Sequence, residues 1–198
     1  TTAAQRIEKI RRLERAMLQR RDEVRAAMWE DYRKPAAEVD LSEIYPVVSE
    51  TRHARRHLRS WMRPRRVGTR LALIGSRSSI VHQPKGVVLI IAPWNFPFNL
   101  TLGPLVSAIA AGNCAMLKPS ELTPASTACM KRILGDLFGE DEVAVIEGSA
   151  DVAQHLLKTV AATRLMGADC IISGIRPQIA QTIVELGVDL SDVVTKAS

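Results

Sequence analysis

Apolar residues in the first third of the chain recur at three- and four-residue steps, and in the remainder they gather into short continuous runs separated by helical stretches. Ile7, Ile10, Leu13, Met17, Val24, Ala27 and Met28 mark one face of an amphipathic helix over residues 5–33, broken near residues 19–21 and stopped before Pro35. A second helix is expected over residues 38–61, with Leu41, Ile44, Val48 and Leu58 inward and Pro64 beyond its end. Residues 71–74 and 79–82 flank Gly75-Ser76-Arg77 and predict a β-hairpin. After Gly86 the pattern becomes strand 87–92, helix 100–111 ended by Gly112-Asn113, strand 114–117, and helix 124–137 with Thr123 as its cap. Strand 143–147, helix 151–165, strand 169–173, helix 177–186 and a last short strand at Val193-Val194 follow. Strands alternating with helices predict an α/β fold: a doubly wound, Rossmann-like parallel sheet preceded by a helical and β-hairpin extension.

Composition narrows the classes. With 198 residues, 46% of them hydrophobic, the chain can bury one sizeable core. No apolar run reaches the roughly 18 residues of a membrane helix, and the charged start, Gln5-Arg6-Ile7-Glu8-Lys9, has no signal-peptide apolar region, so a cytoplasmic protein without membrane contact is expected. Cys114, Cys129 and Cys170 lack disulfide or metal-ligand spacing, and no metal is expected. The net charge of +6 is concentrated between Arg52 and Arg70, where eight arginines fall. Such a run can track phosphates, but aromatic residues are only 4% of the chain and no nucleic-acid module surrounds it, so the solvated face of a helix and its exit loop is the preferred reading.

Two polar segments carry the candidate chemistry. Ile91-Ala92-Pro93-Trp94-Asn95-Phe96-Pro97 and Leu117-Lys118-Pro119-Ser120-Glu121 each follow a run that reads as a buried strand. Each therefore sits at a strand's carboxyl end, where open α/β sheets bind ligands. An amide, a cation and a carboxylate converging there suit an anionic, ribose-bearing cofactor next to a reacting carbonyl.

With residues 86–97 and 110–121 in view, the chain resembles the aldehyde dehydrogenase superfamily over roughly residues 1–156, and residues 61–67 with the hairpin after them look like the subgroup acting on coniferyl and fatty aldehydes. The resemblance implies NAD or NADP as cofactor and a small-molecule aldehyde as substrate. It implies Asn95 as the side-chain donor to the oxyanion of a tetrahedral intermediate, Lys118, Ser120 and Glu121 as the group around the adenosine ribose, and Ile91 and Trp94 as the lining of the cofactor cleft. In that family a cysteine thiolate attacks the aldehyde and a glutamate activates the water that hydrolyses the thioester. The cysteines here read as packing residues in strands and a helix, and Glu185-Leu186-Gly187, followed by Val188-Asp189, is not read as the activating Glu-Leu-Gly-Gly.

From near Leu157 onward the sequence looks like the second half of a STAS domain of stressosome antagonist proteins, best over residues 163–190. This likeness implies a stressosome-like protein partner. Thr182 matches a threonine that the family's kinases phosphorylate, with a merely solvated or back-bonded helix threonine as the other reading. The expected organisation is residues 1–84 as amino-terminal helices and hairpin, 85–156 as a partial NAD(P)-binding αβ unit, and 157–198 as a strand-helix segment continuing the same sheet. Three readings stand: an aldehyde dehydrogenase-derived domain catalytically incomplete alone, an enzyme completed by a partner chain, and a STAS-type interaction module. An edge left open in such a sheet also invites self-association.

Overall fold

The computed structural model describes residues 1–68, 75–149, 151–152, 154–156 and 158, with the backbone of strands 171–173 and 194–196. The expected break near residues 19–21 falls at Arg20, between helices α1 (Ala3–Gln19) and α2 (Arg21–Tyr32). All the inward residues named for this stretch are buried except Ile7, which packs half-buried against the core. A short α3 (Ala36–Val39) runs through a π-helical turn (Asp40–Ile44) into α4 (Tyr45–Trp61).

That π turn corrects one expectation. Leu41 was expected inward and is 72% exposed. The turn's wider step, with the Tyr45 N–H donating to the Asp40 carbonyl, brings Val39 and Ile44 onto the buried face and leaves Leu41 on the outer one.

The hairpin expectation meets the described residues only at its second strand. Strand β1 (Arg65–Val67) pairs antiparallel with β2 (Ser78–Ile80), in the register Arg65 with Ile80 and Val67 with Ser78. Residues 71–74, the expected first strand, lie outside the described residues. Arg65-Arg66-Val67 has no apolar alternation to announce a strand, so this partner of residues 78–80 is not read from the sequence pattern.

The main sheet is parallel throughout, in the order β5 (Val143–Val145), β4 (Cys114–Lys118), β3 (Val87–Ile91), β6 (Ile171–Ser173), β7 (Val194–Lys196). From β3 the chain winds outward through α5 (Pro97–Ala111), β4 and α6 (Pro124–Gly135) to β5, and its later strands lie on the other side of β3. The switch point of this doubly wound order therefore falls between β3 and β6, at the strand that feeds the Trp94-Asn95 segment. Residues 151–152, 154–156 and 158 are helical.

Helix α5 is mostly apolar because most of its surface is covered, with Ser107 and Ala111 left exposed on its one open face. Leu102, Leu105, Val106 and Ile109 are buried in a core shared with β3, β4, α1 and α4. It starts at Pro97, three residues earlier than expected, since proline is preorganised for a first helical turn. It ends at Gly112, φ 88°, where the Gly112 and Asn113 amides donate to the Ile109 and Ala108 carbonyls at 3.0 and 2.9 Å, a Schellman closure. The Arg6 guanidinium adds a bond to the Ala110 carbonyl at 3.0 Å. Outside α5 and α6, the layer of α1, α2 and α4 is tied together partly by charge: Arg52 and Arg55 of α4 both hold Glu14 of α1. Two members of the arginine run thus brace helices rather than await an anionic partner.

Candidate active site

The two polar segments meet at the carboxyl end of adjacent strands. Ile91 and Lys118 are cross-strand partners at the ends of β3 and β4, and the Ala92 N–H donates to the Lys118 carbonyl at 3.1 Å. Ile91 is half-buried, and Trp94, three residues beyond it, is 52% exposed on the rim. Asn95 is half-buried between Trp94 and the start of α5.

Lys118 is only 2% exposed. Burying an ammonium requires partners, and Nζ donates to the Pro119 carbonyl at 2.7 Å and to Glu121 Oε2 at 3.3 Å. Glu121 itself is exposed, so the buried ammonium is tied to a carboxylate that faces solvent. Ser120 shapes the turn: its Oγ accepts from the Leu122 N–H at 3.2 Å, and its carbonyl accepts from the Thr123 N–H and hydroxyl. Thr123 thus occupies the position before α6 without capping it through its side chain, contrary to expectation. The capping oxygens come from Asp31, at the end of α2, which accepts the Ala125 and Ser126 amides at 3.1 and 2.7 Å.

The other side chains that sequence reasoning passed over also belong to residues 31–43. The Tyr32 hydroxyl donates to the Trp94 carbonyl, and the two rings stack with centroids 6.4 Å apart. Burial, then the carboxylates of Asp31 and Glu43, push the Tyr32 phenol up to about 12. Lys34 lies 4.6 Å from the centre of the Phe96 ring and pairs with the buried Glu43 at 3.1 Å. Burial raises the Glu43 carboxyl above its usual range. A glutamate on the same helical face as Val39, Ile44, Val47 and Val48 was the available signal.

Of the cysteines, Cys129 is buried in α6 and burial pushes its thiol up to about 11; Cys114 is half-buried in β4. Cys170, Thr182 and Glu185 lie outside the described residues. Among the described residues no group of three or more histidines, cysteines or carboxylates is placed to hold a metal, and no helix is long and apolar enough to cross a membrane.

Comparison with known proteins fits this geometry. A model of the aldehyde dehydrogenase family matches residues 1–194. The chain belongs to that family. It is 40% identical over 158 residues to a probable coniferyl aldehyde dehydrogenase of Caulobacter vibrioides, covering 77% of this chain and 32% of that protein. It is 38% identical over 150 residues to the 4,4'-diaponeurosporen-aldehyde dehydrogenase of Staphylococcus aureus, covering 76% of this chain and 33% of that one. The fold matches the substrate-bound state of Staphylococcus aureus AldH with a TM-score of 0.81 at 32% identity, over 95% of this chain and 40% of that chain. The chain spans about a third of the length of such curated relatives. The family model also runs across residues 157–194, the stretch likened above to half a STAS domain, and the comparisons lend that likeness no support.

The donor set fits an NAD-type cofactor. A carboxylate able to accept from a ribose hydroxyl stands beside an ammonium able to donate to a ribose or phosphate oxygen, both at the carboxyl edge of the sheet.

Proposed function

We propose that this chain supplies the amino-terminal share of the cofactor crevice of an NAD(P)-dependent aldehyde dehydrogenase, and that its 198 residues do not complete the oxidation by themselves. The observation that carries the reading is the buried Lys118 paired with Glu121 beside Ile91, at the edge where the chain then turns through Trp94 and Asn95.

Lys118 and Glu121 hold the adenosine ribose and any 2′-phosphate, with Ser120 fixing the turn between them. Ile91 and Trp94 give the cleft an apolar wall. The nicotinamide, when bound, accepts the hydride. Asn95 donates its carboxamide N–H to the oxygen of the aldehyde as that oxygen gains charge under attack by a thiolate. A neutral amide suits this because it stabilises negative charge without changing protonation, and one such donor is worth about 3 kcal/mol of barrier. The raised thiol of buried Cys129 does not supply that thiolate.

The closeness to a coniferyl aldehyde dehydrogenase favours an aromatic or long-chain aldehyde as the parent substrate. A STAS-type regulatory role with a stressosome-like partner, and phosphorylation at Thr182, rest on the sequence of residues 163–190 alone. Incubation of the purified chain with coniferyl aldehyde and NAD+ or NADP+ tests incompleteness: no NADH or NADPH is expected. Turnover that is abolished by Asn95→Ala would show that the chain carries a full catalytic set.

A further inference from the structure

Glu43 is fully buried, yet it is not isolated. Its Oε1 accepts from Lys34 Nζ at 3.1 Å and its Oε2 accepts from the backbone N–H of Asn99 at 3.0 Å. Asn99 is the third residue of α5, so that amide is one of the helix's otherwise unmatched amino-terminal donors. Lys34 continues the contact to the Phe96 ring, and Tyr32 holds the Trp94 carbonyl. Both chain neighbours of Asn95 are therefore gripped from residues 32–43, and the helix that follows is gripped by Glu43.

Taking a carboxylate out of water is costly, and an apolar residue of similar volume would fill this position among Val39, Ile44 and Val47 more cheaply. What an apolar residue cannot do is accept the Asn99 amide and anchor Lys34 over Phe96. We infer that Glu43 is a positioning residue for Asn95: through Asn99 and Lys34 it fixes the backbone from Trp94 to Asn99, so that the Asn95 carboxamide is presented in one orientation at the end of β3. This rests on the reading of Asn95 as the oxyanion donor, and it is measured without turnover.

The test is proton–nitrogen correlation NMR on the full chain. In Glu43→Gln, which keeps an acceptor for Asn99, the Asn99 amide moves upfield and the Asn95 carboxamide keeps a single pair of signals. In Glu43→Ala, the Asn95 carboxamide, the Phe96 backbone amide and the Trp94 indole signals split or broaden away, while the amides of β4 and α6 stay in place. An Asn95 carboxamide unchanged in Glu43→Ala, with only Asn99 shifted, overturns the inference and leaves a simple helix cap. Should Glu43→Ala fail to fold, Lys34→Met is judged by the same signals: displaced Asn95 resonances support the inference and unchanged ones overturn it. Titrating NAD+ and NADP+ into the wild-type sample separates the two readings, because failure to bind either ends the crevice assignment without altering the Asn95 result.

Discussion

Asp31 Oδ2 accepts the backbone N–H of Ser126 at 2.7 Å, joining the end of α2 to the start of α6 across 95 positions of sequence. With Oδ1 on the Ala125 amide, one carboxylate satisfies two amino-terminal donors and sits at the positive end of the helix dipole. Asp31→Ala is expected to lower unfolding stability by about 1–2 kcal/mol, the usual worth of a side-chain cap. Asp31→Asn should lose less, since it keeps an oxygen acceptor and gives up only the charge. Urea denaturation followed by circular dichroism checks both, and a wild-type midpoint for Asp31→Ala would remove Asp31 as the cap.

Gly112 tests the closure of α5. Its φ of 88° is strained for any side chain, and a Cβ there would lie 2.4 Å from the Arg6 guanidinium carbon. Gly112→Ala is expected to destabilise by about 1–3 kcal/mol, the range for a non-glycine residue held in a left-handed conformation with crowding added. The added Arg6→Ala change should relieve the crowding but not the strain. Arg6→Ala alone gives up the Ala110 bond, so the comparison is a double-mutant cycle in thermal melting: additive effects of the two changes would show that crowding by Arg6 contributes nothing.

The parallel sheet was legible because its buried strands are continuous apolar runs punctuated by Gly86, Gly112 and prolines at helix starts. Ile91, Trp94, Asn95 and Lys118 were legible as strand-end residues for the same reason. The support beneath them was not. Asp31, Tyr32 and Lys34 sit at a helix end rich in charge, and their partners are distant in sequence, as Glu43 is from Asn99, 56 positions on. Only the fold brings them together. Leu41 failed because a π turn shifts helical phase without a local sequence signal.

Tyr32 predicts a pH dependence. Its phenol, ordinarily near 10, is raised to about 12, chiefly by burial. The folded chain holds that proton more tightly than the unfolded chain, so the contribution to stability is whole below about pH 10 and is lost as the pH rises toward 12. Tyr32→Phe should flatten this part of the stability profile measured by denaturant titration at stepped pH. A decline of the same slope in Tyr32→Phe would assign it to other groups.

Cys129 should be chemically silent. Buried in α6 with a thiol raised to about 11, it carries almost no thiolate near neutrality. Mass spectrometry after treatment with iodoacetamide at pH 8 should find Cys129 unmodified in the native chain and alkylated in urea. Rapid native alkylation there would contradict the packing role and reopen it as a nucleophile.

The cofactor crevice is the centre of the account, and calorimetric titration of NAD+ and NADP+ into the full chain tests it most directly. Saturable binding of at least one cofactor, lost in Lys118→Ala and weakened in Glu121→Gln, is the predicted result. No binding up to millimolar cofactor, or binding indifferent to both substitutions, would contradict it.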